Sequence, residues 1–304
     1  MPRLLKPRAL RPGDTIGIAA PGFAVDPERL AEGLALWREA GFRVVHRDDL
    51  CARDGYLAGD DARRLRELKE LVASPRVDAI LCARGGYGCD RILHRLDPAR
   101  FRAARKPLVG YSDITALLLW QQRRAGLASF HGPMLDKGSK LDRDALAELV
   151  AQLGGATAEP LRGRGAAGGR AEGRLVGGSL TMLAASIGTD WEIETRGAIL
   201  MLEDVGERPY RIDRMLQQLR GAGKLADLAG VGVGDFSTCT DVKYPQPDVE
   251  QVLLDVLRPL RVPVVLDLPF GHGLANRAWP FGARATIDAR RGEVRIVEAG
   301  VARG

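Results

Sequence analysis

The first half of the chain alternates between strand-like and helix-like segments, and this alternation limits the folds available to it. The apolar run DTIGIAAPG is followed by PERLAEGLALWREAGF, in which Leu30, Leu34 and Trp37 recur at helical spacing. The same order continues through RVVH, DDARRLRELKELVAS, VDAILCA, DRILHRLD, KPLVGY and DITALLLWQQRRAG. Strands separated by helices pair in parallel, with helices on both faces of the sheet. We therefore predict an N-terminal parallel-sheet α/β domain over residues 1–153.

The second half has a different pattern, which predicts a β-rich mixed C-terminal domain over residues 179–304. Its strand candidates are GAILMLED, LAGVGVGDF and VPVVLDLPFG, and ATIDARRGEVRIVEAG is typical of a hairpin turning at Arg291-Gly292. Helical patterns occur in GSLTMLAASIG and RPYRIDRMLQQLRGAG. Residues 154–178 are rich in Gly and Ala and lack apolar periodicity, so we predict a linker there. The expected fold class is α/β, with two domains.

Charge and cysteine content narrow the class of protein. The 45 basic and 39 acidic residues are scattered along the chain, whereas a nucleic-acid interface would gather the basic residues on one face. The four cysteines form no C-x-x-C pair and lack the spacing of a zinc site. Reduced thiols, no signal peptide and no long apolar run predict a cytoplasmic protein without membrane or nucleic-acid partners.

Three strand patterns each end near a residue type used in hydrolysis. KPLVGY leads to Ser112, GAILMLE ends at Glu203, and VVLDLPFG leads to His272. A serine, a histidine and a carboxylate can serve as nucleophile, base and orienting group. The alternative for Ser112 is a helix N-cap, since serine favours that position. Spacing alone does not show that the three residues meet.

Other residues compete for the same roles. Asp204 follows Glu203 and could orient the base equally well. His131, in SFHGPM, also follows an apolar stretch and rivals His272 as the base, whereas His46 and His94 are weaker candidates. From the residues alone, these alternatives remain open.

The segment Arg84-Gly85-Gly86-Tyr87-Gly88 is a candidate anion-binding loop. Its backbone N–H groups could form an oxyanion hole together with the N–H of Asp113. The same loop could instead hold a phosphate, or simply connect a strand to a helix. It lacks the spacing and the lysine of a P-loop.

Several motifs, in order, resemble one known family. They are RGGYGCDRIL, KPLVGYSDITALL, FHGPM, GGSLTMLAASIGT, ILMLEDVGERPYRIDRMLQQL and LPFGHGLANRAWPFG. Together they resemble the LD-carboxypeptidase (muramoyltetrapeptide carboxypeptidase) family of serine peptidases, and the resemblance covers nearly the whole chain.

This resemblance implies a catalytic triad of Ser112, Glu203 and His272, with an oxyanion hole near Gly86 and at Asp113. It favours Glu203 over Asp204 and His272 over His131. It also implies a homodimer that needs no metal or other cofactor. The implied reaction is hydrolysis, through an acyl-enzyme, that releases the terminal D-Ala of the murein tetrapeptide L-Ala-D-Glu-meso-diaminopimelate-D-Ala, or of its counterpart with Lys at the third position, during peptidoglycan recycling.

Two other functions are compatible with parts of the pattern. Microcin-immunity peptidases share the triad and cleave aminoacyl-nucleotide toxins, for which a base-stacking aromatic residue would be expected. A non-catalytic two-domain protein could bind an anion at RGGYG and hinge at the linker.

Overall fold

Helices and strands alternate through the first half of the chain. The computed structural model describes residues 4–135 and 141–302. In the first half it contains β1 (Thr15–Ala19), α1 (Pro27–Glu39), β2 (Arg43–Val45), α2 (Asp61–Ala73), β3 (Ala79–Cys82), α3 (Asp90–Leu93), α4 (Pro98–Ala104), β4 (Leu108–Gly110), α5 (Thr115–Trp120), β5 (Ser129–His131) and α6 (Arg143–Leu153). A 3-10 turn, Ser112–Ile114, leads into α5. The predicted alternation is confirmed, and the structure adds α4, β5 and α6 to it.

Strands dominate the second half. Its elements are β6 (Leu161–Arg162), β7 (Arg164–Ala167), β8 (Arg170–Ser179), α7 (Leu180–Ala185), β9 (Ala198–Glu203), α8 (Pro209–Gly221), β10 (Gly230–Val233), α9 (Val249–Leu257), β11 (Val264–Leu266), β12 (Trp279–Phe281), β13 (Arg284–Asp288) and β14 (Glu293–Ile296). The predicted hairpin is present, because β13 and β14 pair antiparallel.

The first sheet has the strand order β12-β5-β4-β3-β1-β2. Strands β1 to β5 are parallel, as predicted. In an open α/β sheet, ligands bind beyond the carboxyl ends of the strands, where the strand order reverses. Here the order reverses between β1 and β3, so the loops after β1, β3 and β4 surround the expected binding crevice.

One strand of this sheet comes from the second half of the chain. β12 pairs antiparallel with β5, and Trp279 and Phe281 are fully buried there. Burial of such large aromatic side chains stabilises the added strand. The first sheet is therefore not built from residues 1–153 alone.

The second sheet has the order β6-β14-β13-β8-β9-β10-β11-β7. β8 to β11 run parallel, and the remaining strands pair antiparallel on both sides of them. The predicted fold class is confirmed: a mostly parallel α/β sheet is combined with a mixed, β-rich second sheet.

The glycine-rich residues 154–178 differ from the predicted linker. Strands β6, β7 and most of β8 lie within them. A Cβ atom on Gly177 would lie 1.9 Å from the carbonyl oxygen of Met201, and one on Gly165 would lie 1.8 Å from that of Ala289. The glycines therefore permit close approach of neighbouring backbones, a role that a search for apolar periodicity does not detect.

A few residues of the two predicted domains are not among the residues that the structure describes. Residues 1–3 and 136–140 of the N-terminal range, and residues 303–304 of the C-terminal range, lie outside the described residues. Over the described part of the chain, no helix combines the length and the apolar character needed to cross a membrane.

Candidate active site

Ser112, His272 and Glu203 form a continuous hydrogen-bonded series. His272 Nε2 lies 3.1 Å from Ser112 Oγ, and His272 Nδ1 lies 2.7 Å from Glu203 Oε2. A carboxylate facing Nδ1 favours the neutral tautomer that carries its proton there. Nε2 is then left to accept a hydrogen bond from the serine hydroxyl. In this arrangement His272 can accept the hydroxyl proton, and Glu203 can stabilise the imidazolium that results.

The backbone at Ser112 directs its side chain into this series. Ser112 follows β4 and has a φ of 62°, a left-handed conformation that is uncommon for residues other than glycine. A strained turn between a strand and a helix is the arrangement that presents a nucleophilic serine at the top of an α/β sheet. Tyr111, not Ser112, precedes the 3-10 turn as its cap residue. The structure therefore does not support the N-cap interpretation of Ser112.

Glu203 is the last residue of β9 and is fully buried. The chain beside His272 approaches it closely, since a Cβ atom on Gly271 would lie 2.9 Å from Glu203 Cβ. The buried side chain of Asn276 holds this turn by accepting a hydrogen bond from Gly271 N at 3.1 Å. The close approach explains a glycine before His272, and the sequence pattern did not reveal Asn276.

Asp204 has different partners. Its Oδ2 accepts hydrogen bonds from the backbone N–H and the hydroxyl of Thr181, at 2.7 and 2.8 Å. It thereby holds the start of α7 rather than the histidine. Of the two adjacent carboxylates, only Glu203 contacts His272 in the described structure.

Burial and charge act against each other at the Glu203–His272 pair. Burial raises the pKa of Glu203 above its ordinary value, opposed by its hydrogen bond with His272. Burial by itself would lower the pKa of His272, but the hydrogen bond and the charge of Glu203 outweigh it and leave that pKa raised. The carboxylate thus makes His272 a stronger base.

His131, the other candidate base, lies in an apolar environment. Its ring is fully buried and stacks on Trp279 with centroids 4.9 Å apart. Neither ring nitrogen has a hydrogen-bond partner among the described residues. Burial, assisted by the charge of His272, lowers the pKa of His131 to about 3. A histidine that is so weakly basic and makes no hydrogen bond to Ser112 in the described structure is a poor candidate for the base.

The RGGYG loop lies directly against Ser112. A Cβ atom on Gly85 would come within 3.1 Å of Ser112 Oγ and 3.2 Å of Asp113 N. Gly86 has a φ of 94° and is exposed beside it. The structure therefore places Gly85 beside Asp113 N and the hydroxyl, and the predicted oxyanion-hole residue Gly86 is the next residue in the same loop. It also adds Gly85, whose missing side chain leaves room at the hydroxyl.

Two buried side chains fix this loop, and sequence analysis did not identify either role. Arg64 is fully buried and donates to the carbonyl oxygens of Pro21 and Gly88, at 2.5 and 2.7 Å. The carboxylate of Asp113 accepts a hydrogen bond from Cys89 N at 3.0 Å. Only the contacts of Arg64 reveal that it connects the loops after β1 and β3.

The described residues contain no group of three or more His, Cys, Asp or Glu side chains that could hold a metal ion.

The sequence matches one family over most of its length. Residues 16–132 match the LD-carboxypeptidase N-terminal domain, and residues 172–287 match the LD-carboxypeptidase C-terminal domain. Ser112 lies in the first region, and Glu203 and His272 lie in the second.

Individual proteins agree with this match. The chain is 39% identical to the probable murein peptide carboxypeptidase of Bacillus subtilis, over 98% of this chain and 96% of that protein. It is 37% identical to the murein tetrapeptide carboxypeptidase of Pseudomonas aeruginosa, over 79% and 82%. The crystal structure of muramoyltetrapeptide carboxypeptidase from Oxalobacter formigenes superposes with a TM-score of 0.84 at 31% identity, covering 93% of this chain and 97% of that one.

A more distant likeness exists to the microcin C7 self-immunity protein MccF of Escherichia coli. The chain is 26% identical to it, over 98% of this chain and 96% of that protein. The matches above, at 31% to 39% identity, are more similar in sequence and agree with one another. By its sequence and its fold, this chain belongs to the LD-carboxypeptidase family of serine peptidases and is a carboxypeptidase.

Proposed function

We propose that this carboxypeptidase removes the terminal D-Ala from the murein tetrapeptide L-Ala-D-Glu-meso-diaminopimelate-D-Ala. The observation that carries the proposal is the hydrogen-bonded series Ser112–His272–Glu203 at the carboxyl ends of strands from both sheets. The names of the two relatives above, which refer to murein peptides, support this substrate class.

In the proposed mechanism, Ser112 Oγ attacks the carbonyl carbon of the bond before D-Ala. His272 accepts the hydroxyl proton at Nε2, and Glu203 stabilises the imidazolium that forms. The N–H groups of Gly86 and Asp113 are the proposed donors to the oxyanion of the tetrahedral intermediate.

The proton on His272 then passes to the amine of D-Ala, which leaves, and an ester remains on Ser112. A water molecule attacks this acyl-enzyme with His272 again acting as the base. Collapse of the second tetrahedral intermediate releases the tripeptide and returns the proton to Ser112. No other group is needed to balance the protons.

The same proposal includes the cellular location, the oligomeric state and the domains of the protein. We place the protein in the cytoplasm, where its four cysteines, which form no disulfide among the described residues, would remain reduced. We also propose a homodimer and two domains, the first over residues 1–153 and completed by β12, the second extending the predicted range 179–304 towards the N-terminus to include β6, β7 and β8.

The test is D-Ala release from L-Ala-γ-D-Glu-meso-diaminopimelate-D-Ala, measured by mass spectrometry for the purified protein and for Ser112→Ala. Release by the original chain and not by the variant supports the proposal. If neither releases D-Ala while both are folded, the proposal is wrong. An aminoacyl-nucleotide substrate would then be assayed in the same way, and failure there as well would favour an anion-binding protein without catalysis.

A further inference from the structure

The ring of Tyr111 packs directly against the imidazole of His272. The two ring centroids are 4.8 Å apart, and the ring planes are tilted by 52°. Tyr111 is only 3% exposed, so its ring is held within the core. It also immediately precedes Ser112 in the sequence. Two consecutive residues therefore contact His272: Ser112 through Oγ, at 3.1 Å from Nε2, and Tyr111 through its ring.

His131, which the proposed mechanism does not use, also contacts the Tyr111 ring. Its ring centroid lies 5.6 Å from that of Tyr111 and 5.6 Å from that of Phe270, in T-shaped arrangements. Phe270 is fully buried and lies two residues before His272. His131 thus packs against both the segment that carries Ser112 and the segment that carries His272.

Two properties of His131 suit it to support these segments. Neither of its ring nitrogens has a hydrogen-bond partner among the described residues, so the ring acts through packing. Its pKa of about 3, lowered by burial and then by the charge of His272, keeps the ring neutral at any higher pH. A neutral ring adds no charge that would repel a protonated His272.

We propose that Tyr111 is a positioning residue that holds the imidazole of His272 in line with Ser112 and stabilises its protonated form, with His131 as a neutral support. This inference rests on the proposed function, because it concerns the base of that reaction. A cation within about 6 Å of the centre of an aromatic ring is attracted by the negative charge of the ring face. The imidazolium forms only as the serine proton is transferred, so this attraction favours the transition state over the bound substrate.

A test of this role has to keep the other groups around His272 constant. Burial lowers the pKa of His272, and the carboxylates of Glu203, Asp204 and Asp235 act against it. None of these carboxylates changes when only position 111 is substituted. Leucine and phenylalanine also keep that position apolar, so the burial of His272 is retained. A change in its titration would then come from the ring at position 111.

The experiment measures the pH profile of D-Ala release and the titration of His272 by NMR in three altered chains. Tyr111→Leu removes the ring, and Tyr111→Phe keeps it. The third chain carries a fluorinated phenylalanine at position 111, which has nearly the same shape as phenylalanine but less negative charge on its ring face.

Loss of the ring should change kcat and the pH profile together. For Tyr111→Leu, kcat should fall about tenfold with little change in KM, and the acidic limb should move about one pH unit lower. Tyr111→Phe should keep the original profile, and the fluorinated chain should shift in the direction of Tyr111→Leu. Phe42→Leu is the matched control, since the buried ring of Phe42 pairs with Trp37 at 5.4 Å and not with the site.

Substitutions of His131 test its supporting role. Phenylalanine retains a neutral ring, so His131→Phe should keep the pH profile and most of kcat. His131→Ala should move the acidic limb part of the way towards that of Tyr111→Leu. If His131→Phe is impaired as much as His131→Ala, the imidazole itself is needed, and the supporting role is wrong.

The NMR titration does not depend on turnover, and the presence of only four histidines keeps its assignment simple. An unchanged titration of His272 in Tyr111→Leu and in the fluorinated chain would overturn the inference, even with activity lost, because that loss would be structural. If Tyr111→Leu does not fold, the fluorinated chain decides, since it preserves the packing. If the original chain releases no D-Ala, the proposed function fails, while the titration still decides the role of Tyr111.

Discussion

Ser112 carries a reactive hydroxyl on a left-handed backbone conformation, which is unfavourable for any residue that has a side chain. A left-handed φ costs a residue other than glycine about 1–2 kcal/mol. The same turn directs Oγ to within 3.1 Å of His272 Nε2. Local strain of this kind persists where the surrounding structure determines the backbone, and it occurs often at active sites.

The strain at Ser112 predicts a difference between two inactive variants. Ser112→Gly and Ser112→Ala should both lose D-Ala release, because each lacks the nucleophile. Only Gly tolerates a φ of 62° without a steric cost, so Ser112→Gly should be more stable by about 1 kcal/mol. Urea denaturation of the two variants measures this difference. Equal stability would show that the turn is not strained.

The Glu203–His272 contact predicts a specific pH dependence. His272 must be neutral to act as a base, so kcat/KM should fall as the pH drops through the pKa of His272, which Glu203 raises above its ordinary value. Glu203→Gln removes the main group that raises this pKa, so the acidic limb of the profile of kcat/KM against pH should move to lower pH. The maximal rate should fall by orders of magnitude, because the imidazolium loses its partner.

Asp204→Asn is the control for this profile. Asp204 is adjacent to Glu203 but accepts its hydrogen bonds from Thr181, so its removal should move the acidic limb much less. An equal shift in both variants would mean that His272 responds to total charge rather than to the hydrogen bond with Glu203.

At the scale of elements, the site depends on three loops that follow β1, β3 and β4. The strands and helices around them were predicted from apolar spacing, and the structure shows that Asp26 caps α1 and Asp60 caps α2. Arg64 extends from α2 and binds the first two loops together through Pro21 O and Gly88 O. The positions of these loops therefore depend on the buried guanidinium of Arg64 as well as on the carboxylate of Asp113.

Replacing Arg64 should damage both stability and activity. Arg64→Met leaves two carbonyl oxygens without their donor, at a cost of about 1–3 kcal/mol for each buried group. Because the RGGYG loop would also shift, kcat for D-Ala release should fall at least tenfold. Thermal or urea unfolding and steady-state kinetics measure the two effects.

Arg91→Ala is the matched control, since Arg91 also pairs with Asp61 but on the exposed surface. A surface ion pair contributes little to stability. A comparable loss in both variants would show that the pairing with Asp61, and not the loop contacts, is what matters.

At the scale of the whole molecule, the two sheets depend on each other. β12, from the second half, completes the first sheet, and Ser179 N at the end of β8 donates to Thr115 Oγ1 in the helix after Ser112 at 3.3 Å. Ser112 follows a strand of the first sheet, whereas Glu203 ends a strand of the second and His272 follows another strand of the second. The candidate site forms only when both sheets are folded and in contact.

This dependence predicts a single cooperative unfolding transition. Trp279→Ala, in the fully buried core of β12, should lower the free energy of unfolding by about 3–5 kcal/mol. Far-UV circular dichroism and a probe confined to the second sheet should report the same midpoint, before and after the substitution. Two separate transitions would show that the sheets fold independently.

The sequence by itself determined the order of strands and helices, the parallel first sheet, the mixed second half and the shortlist of reactive residues. Those features depend on local periodicity, on caps and on which residue types follow each strand, all of which can be read within short windows. From the residues alone, Glu203 could not be separated from Asp204, nor His272 from His131. The strands within 154–178 were missed because glycines there serve backbone packing.

Only the tertiary structure decided which of these residues meet. His272 is 160 residues from Ser112 and 69 from Glu203, and their contacts depend on how two sheets are placed against each other. Segments distant in sequence also bury His131, which lowers its pKa. They also supply the carbonyl oxygens through which Arg64 connects two loops. Such properties arise from three-dimensional packing, because hydrogen bonding, desolvation and charge act over a few ångströms in space, whatever the separation along the chain.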